Sequence, residues 1–127
     1  MTGPVQAPAG RRVHVCPAEG DSLADERNLS GLMGELFGSG ATLVAIPLAR
    51  LGPDFLRLSS GVAGAVLQKL VNYRFQVAIL GDISAAVAAS DPLRDFVRES
   101  NRGTTVWFVA DLAALDAKLA NVAYGRA

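Results

Sequence analysis

Apolar positions along the chain follow two different periods, and together they predict alternating strands and helices. Residues 12–16 alternate polar and apolar side chains, as a short strand does. Residues 42–47, 75–80 and 105–110 are continuous apolar runs bounded by polar residues, glycine or proline. Runs of this length are typical of strands that are covered on both faces. Because a helical segment separates each strand from the next, we expect at least three of the strands to be parallel.

The segments between the strands have the period of helices. In the first, apolar residues recur at the spacing of one helix face: Leu29, Leu32, Met33, Leu36 and Phe37. In the second, one broad arc faces the sheet: Val62, Ala63, Val66, Leu67, Leu70 and Tyr73. A third helix has Ser90 or Asp91 as its cap and Pro92 at its first position; it buries Leu93, Phe96 and Val97 and ends before Gly103. A fourth is capped by Asp111 and has the buried stripe Leu112, Leu115, Leu119 and Val122. The pattern predicts an α/β layer structure with a mostly parallel or mixed sheet of about four to five strands and about four helices.

Length and composition indicate one domain. The 127 residues are enough for a single core. Residues 1–10, rich in Pro and Gly, are predicted to form a flexible N-terminal leader, and residues 11–127 a single α/β domain. No apolar run reaches the roughly 20 residues that a membrane helix needs. We therefore expect a soluble, cytoplasmic protein without a membrane partner.

Charge and the rare residue types exclude several classes of function. Twelve basic and twelve acidic residues cancel, and no Lys or Arg block is present, so nucleic-acid binding is not expected. Cys16 is the only cysteine and His14 the only histidine. A disulfide within the chain is thereby excluded, and a zinc or haem site is disfavoured. We expect no cofactor and no metal, with His14 and Cys16 as structural residues.

The second helix has an unusual outer face. Small residues on this face are followed by two carboxamides one turn apart: Gly64, Ala65, Gln68 and Asn72. Small residues let another backbone come close, and carboxamides both donate and accept hydrogen bonds. This face is either an ordinary solvent face or a contact surface, of a homodimer or of a groove for a partner.

Polar residues are predicted to gather beyond the carboxyl ends of the strands, where open α/β sheets generally bind ligands. These candidates for a ligand site or a switch are Ser59, Ser60, Gly61, Asp82 and Ser84, with Asp111 nearby. The start of the second helix also offers amide groups to an anion. A serine nucleophile would need a neighbouring base, and the only histidine is predicted on the first strand, so no catalytic residue is assigned.

The opposite pole of the sheet has a set of arginines and asparagines. They are Asn72, Arg74, Asn101 and Arg102, together with Glu99, and Arg94 and Arg98 stack with Arg102 along one helix face at spacings of four. Asp95 and Glu99 lie within pairing distance along the same helix. This surface is either a charge-paired solvent face or a recognition surface for an acidic partner.

Three sequence blocks resemble a known bacterial family, the domain of unknown function 4180. The blocks are "AGAVLQKLVNYR", "GDIS" and "RDFVRESNRG", and the resemblance covers residues 42–119. The segment "LSSGVAGAVL" is more distantly similar to the turn and helix of STAS domains in anti-sigma-factor antagonists. A serine of that turn is phosphorylated in the STAS family to switch partner binding. The second resemblance implies a STAS-like fold and phosphorylation at Ser59 or Ser60.

These observations predict a non-catalytic regulatory or protein-interaction module that is switched at Ser59 or Ser60. We expect a homodimer and a regulatory protein partner. The alternative is a small-molecule-binding protein or compact enzyme that uses the pole around Ser60, Asp82 and Ser84, with Lys69 or Arg94 supplying charge.

Overall fold

Five strands form one sheet in the computed structural model, which describes residues 3–6 and 12–123. The elements are β1 (Gly3–Gln6), β2 (Arg12–Val15), α1 (Glu26–Ser39), β3 (Leu43–Pro47), α2 (Val62–Asn72), β4 (Gln76–Leu80), α3 (Ser84–Ala89), α4 (Asp91–Arg102), β5 (Val106–Val109) and α5 (Leu112–Ala123). The strands lie side by side in chain order. Strands β2 to β5 are parallel, and β1 pairs antiparallel with β2. The predicted α/β fold with a mostly parallel sheet is therefore confirmed.

The sheet is covered on both faces, as the continuous apolar strands predicted. Side chains alternate along each strand, so Val44 and Ile46 pack under α1 and α2 while Leu43 and Ala45 face the opposite side. On that opposite side, α5 contributes Leu115 and Leu119. Each central strand thus supplies side chains to two cores.

Two aromatic residues depart from the predicted buried stripes. Phe37 and Tyr73 are 59% and 56% exposed, and their rings meet edge to face with centroids 5.7 Å apart. Tyr73 is the C-cap of α2, directly after its last residue Asn72, and its backbone (φ −95°, ψ 15°) has already left the helical conformation. The arc calculated at 100° per residue therefore does not apply to it. Phe37 lies in the last turn of α1 and packs against Tyr73 and Phe75 instead of the sheet.

The end of α2 is a Schellman motif built without glycine. Phe75 N–H donates to Leu70 O and Arg74 N–H donates to Val71 O, which is the paired pattern of that motif. Arg74 takes the left-handed conformation (φ 70°), where glycine is usual. Buried Phe75 and Leu70 supply the accompanying apolar contact. The Asn-Tyr-Arg ending is therefore a helix stop.

Several smaller features differ from the predictions. The six-residue helix α3 was not predicted, because its short run of alanines shows no apolar period. Strand β1 lies within the segment predicted as a leader, whose other residues lie outside the described part of the chain. Leu112 is 42% exposed, because it is the first residue of α5 and precedes the part that lies on the sheet. The side chain of Val122 lies outside the described residues.

Candidate functional site

The predicted serine turn precedes α2 as a short 3-10 helix, Leu58–Ser60, followed by Gly61 in the left-handed conformation (φ 80°). The Ser60 N–H and Gly61 N–H donate to Arg57 O and Leu58 O. Ser60 Oγ donates to Asp54 O at 2.8 Å and accepts from Val62 N at 3.2 Å. The Ser60, Gly61 and Val62 amides and the Ser60 hydroxyl are thus occupied by local hydrogen bonds.

Ser59 has a different environment from its neighbour. It is exposed, and its hydroxyl makes no hydrogen bond to any other described residue. Ser59 lies at the rim of a cleft of about 530 Å³ between the 56–59 segment and helices α3 and α4. The lining is largely apolar: Leu56, Leu58, Ala86, Ala89, Pro92 and Leu93. Arg57 lies on the same rim, where its Nη2 pairs with Asp54 Oδ1 at 2.8 Å. Ser59 is therefore the accessible serine of the two candidates.

Asp82 and Ser84 are hydrogen-bonded to each other at the start of α3. Asp82 Oδ1 accepts from Ser84 Oγ at 2.7 Å and from Ser84 N at 3.0 Å. These hydrogen bonds lower the pKa of the Asp82 carboxyl below its usual range. Asp111 has a similar role in α5, because its Oδ1 accepts from Ala114 N at 2.9 Å. The polar residues beyond β4 and β5 are thus engaged at the starts of the following helices.

The outer face of α2 is exposed along its length. The exposed candidates of the small-residue face are Gly64, Ala65, Gln68 and Asn72. Beside this face, Lys69 Nζ donates to Ser30 Oγ at 3.1 Å and lies 3.9 Å from Glu26 Oε2, so Lys69 links α2 to α1. The exposed ring of Tyr73 lies at the end of the same helix. The face is accessible to a second molecule.

The arginines of α4 are paired with acids on their own helix. Arg94 contacts Asp91 at 3.3 Å and Asp95 at 3.2 Å. Arg98 lies 4.0 Å from Asp95, and Arg102 lies 3.8 Å from Glu99. All of these side chains are substantially exposed, and such pairs contribute little to stability. The arrangement favours the charge-paired solvent face over a surface of unpaired positive charge.

Asn101 faces inward to the sheet. Its Oδ1 accepts from Phe108 N at 2.7 Å, and its Nδ2 donates to Phe108 O at 3.2 Å. Strand β5 ends the sheet, so Phe108 presents these backbone groups away from β4. Lys118 Nζ donates to Asn101 O at 3.2 Å. The carboxamide thus completes the hydrogen bonding of an edge strand, while Arg74 and Arg102 remain exposed.

A second cavity, of about 360 Å³, was missed by the sequence analysis. It lies at the carboxyl end of β2 and is lined by Cys16, Glu35 and Arg50 among others. His14 is 2% exposed, and its Nε2 lies 3.6 Å from Oε1 of the lining residue Glu35. Burial lowers the pKa of His14, against an opposing effect of Glu35, and burial raises the pKa of Cys16 to about 11. The sequence signal that could have revealed this cavity is the spacing of His14 and Cys16, two residues apart, which puts both side chains on one face of a strand.

Two broader expectations concern metals and membranes. Within residues 3–6 and 12–123, no group of three or more His, Cys, Asp or Glu side chains is placed to hold a metal ion. No described helix has both the length and the apolar character required to cross a membrane.

Comparison with known proteins identifies a family but no characterised relative. No curated protein and no solved structure shows significant similarity to the chain, so the distant STAS resemblance stays a prediction. The family model described as "Domain of unknown function (DUF4180)" matches residues 8–119. The match spans most of the chain and includes the β2 strand, both cavities and the α4 helix. The chain therefore belongs to the DUF4180 family.

Proposed function

We propose that the protein is a non-catalytic regulatory or protein-interaction module that receives an apolar segment of a partner protein in the cleft beside Ser59. The observation that carries the proposal is the pairing of a largely apolar cleft of about 530 Å³ with a rim formed by Ser59 and Arg57. Apolar pockets with a few polar groups at the edge suit an inserted side chain. Ser59 is exposed at this rim and makes no hydrogen bond to another described residue.

Phosphorylation of Ser59 would act as the switch in this proposal. A phosphate adds nearly two negative charges, and at the mouth of an apolar cleft these charges repel an apolar or acidic partner segment. Arg57 already pairs with Asp54 at 2.8 Å, so a phosphate on Ser59 would compete with Asp54 for the guanidinium. Ser60 suits the role less well, because its hydroxyl is engaged by Asp54 and Val62.

The alternative of ligand chemistry around Ser60, Asp82 and Ser84 has less support. These side chains form local hydrogen bonds that shape the turn before α2 and the start of α3. Converting them to ligand contacts would first require these bonds to break.

A cytoplasmic, reducing setting remains part of the proposal, supported by Cys16 as the only cysteine in the sequence.

The test uses two alanines of α3. Ala86 lines the cleft, whereas Ala85 is exposed on the same helix and lies outside the lining. We would capture the wild type, Ala86→Phe, Ala85→Phe and Ser59→Glu proteins from the native host and quantify bound proteins by mass spectrometry. The proposal expects one partner that is retained by wild type and Ala85→Phe and lost from Ala86→Phe and Ser59→Glu. Equal recovery with all four proteins, or no partner with wild type, contradicts it.

We also propose that the protein forms a homodimer through the outer face of α2. Gly64, Ala65 and Gln68 are exposed together on this face, and small side chains allow the close approach of a second helix. Ala65→Arg should therefore yield a monomer in light scattering, with an unchanged circular dichroism spectrum. Arg98→Ala, on the charge-paired face of α4, serves as the control that keeps the dimer. A wild-type monomer, or a mass unaffected by Ala65→Arg, contradicts this proposal.

A further inference from the structure

The cavity beside Cys16 is shaped by one face of α1. Arg27, Gly31 and Glu35 line it at successive spacings of four residues, so they lie along one side of the helix. The two charged residues have opposite signs, and their Cα atoms lie roughly 12 Å apart along the axis, at 1.5 Å per residue. A Cβ added to Gly31 would meet nothing within 4 Å. Gly31 therefore opens the middle of the cavity between a cation and an anion.

Arg50 builds the opposite wall. Its Nε donates to Asp21 O at 2.9 Å and its Nη1 donates to Pro17 O at 3.0 Å. These bonds hold the loop after β2 against the short 3-10 helix Leu48–Arg50. A guanidinium has five N–H donors, so donors remain after these two bonds. Arg50 thus positions the wall and adds a second positive charge to the lining.

His14, which contacts the cavity-lining residue Glu35, is an independent sign of function. His14 is 2% exposed, yet neither ring nitrogen has a hydrogen-bond partner among the described residues. Its Nε2 is directed at the Glu35 carboxylate, 3.6 Å away, and Glu35 lines the cavity. Buried polar groups without partners are rare, and each calls for an explanation such as a bound ion, water or ligand. Natural proteins keep such local exceptions chiefly at functional sites.

We propose that this cavity binds a small zwitterion of amino-acid size, a molecule with one ammonium group and one carboxylate group. Glu35 would bind the ammonium group, and Arg27 with Arg50 would bind the carboxylate group. The volume of about 360 Å³ lies at the small end of known ligand sites, as a ligand of this size requires. Cys16 and Leu32 supply an apolar floor for the ligand's side chain. The proposal is independent of the Ser59 cleft, which is lined by other residues.

Cys16 allows a direct test, because it is the only cysteine in the sequence and lines the cavity. The rate of its alkylation by iodoacetamide would be measured at mildly alkaline pH, below the pKa of the ligands' ammonium groups, with each proteinogenic L-amino acid, β-alanine and γ-aminobutyrate. For each compound that slows alkylation, the matched amine without the carboxylate and the matched acid without the amine are compared. At a concentration of ten times Kd, a zwitterion should slow alkylation about tenfold, and neither matched compound should do so.

Two glycines of α1 provide matched variants for the same ligands. Gly31 lines the cavity, whereas Gly34 is exposed outside it, and a Cβ at either meets nothing within 4 Å. Gly31→Phe should abolish the ligand-induced rise in Tm, and Gly34→Phe should retain it. Glu35→Gln removes only a charge, so it tests the ammonium contact in a chain that keeps its packing.

Three results would overturn the proposal. They are an alkylation rate that no zwitterion of the panel changes, equal protection by a matched amine or acid, and a thermal shift that persists in both Gly31→Phe and Glu35→Gln. Protection by zwitterions that is lost in both of those variants and kept in Gly34→Phe would establish it.

Discussion

Replacing Asn101 by Ala tests whether this side chain stabilises the edge of the sheet, as the structure shows, or serves only as part of an outer recognition surface. The substitution removes the acceptor of Phe108 N–H (2.7 Å) and the donor to Phe108 O (3.2 Å). Both backbone groups lie on the open side of β5, so no neighbouring strand replaces the lost partners. Stability of the isolated protein should therefore fall.

The expected loss is set by two partly buried hydrogen bonds. Each contributes about 1 kcal/mol to the net free energy of unfolding, so Asn101→Ala should lower it by about 2 kcal/mol. At about 4 °C per kcal/mol for a domain of this size, Tm should fall by about 8 °C. Asn101→Asp keeps the acceptor but places a carboxylate oxygen against Phe108 O, so its loss should be intermediate.

Urea unfolding followed by circular dichroism measures these differences, and Asn72 provides the control. Asn72 is the last residue of α2, is exposed, and hydrogen-bonds through its side chain to no other described residue. Asn72→Ala should change the free energy of unfolding by less than about 0.5 kcal/mol. If Asn101→Ala and Asn72→Ala have the same unfolding free energy within that margin, the assignment of Asn101 to the sheet edge is wrong.

Three further predictions concern the α2 ends and the buried histidine. Arg74→Gly should raise the free energy of unfolding by about 1 kcal/mol in urea titrations, because glycine adopts a φ of 70° without the penalty of a side chain; an unchanged value contradicts this. Ser60→Ala should lower the same quantity by about 1 kcal/mol, less than Asn101→Ala, because one of the two hydrogen bonds lost is exposed to solvent, whereas Ser59→Ala should change it by less than about 0.5 kcal/mol. Burial lowers the pKa of His14, so the unfolded chain binds a proton more readily and wild-type stability should decline as pH falls below about 6.5. Urea titrations at several pH values should show a smaller decline for His14→Leu, and an equal or larger decline would refute this.

The local features of the fold were largely predictable. The spacing of apolar residues distinguishes strands from helices, and capping side chains accept hydrogen bonds from backbone amides only a few residues away. The cap at Ser90, whose Oγ accepts from Leu93 N, and the cap at Asp111, which accepts from Ala114 N, are of this kind. Their geometry depends on neighbours in the sequence, so the sequence pattern sufficed to predict them.

The sequence could predict which residues belong to the candidate site, but not how their side chains are arranged in space. Ser59 and Ser60 are the same residue type in adjacent positions, yet one is exposed on a cleft and the other is bonded to Asp54 O. Asn101 and Asn72 are both carboxamides near helix ends, yet only Asn101 meets an edge strand. Side-chain direction and the path of a connecting loop decide these differences, and neither produces a period in the sequence.

The sequence by itself determined the order of strands β2 to β5 and of helices α1, α2, α4 and α5, and the two-sided burial of the strands, because each follows from the spacing of apolar residues or from contacts a few residues apart. Only the tertiary structure decided that His14 lies beside Glu35 and that Arg50 closes a cavity over Cys16. Those contacts join residues far apart in the chain, brought together by the packing of α1 on β2. Packing of this kind depends on how whole elements cross, which a one-dimensional pattern does not specify.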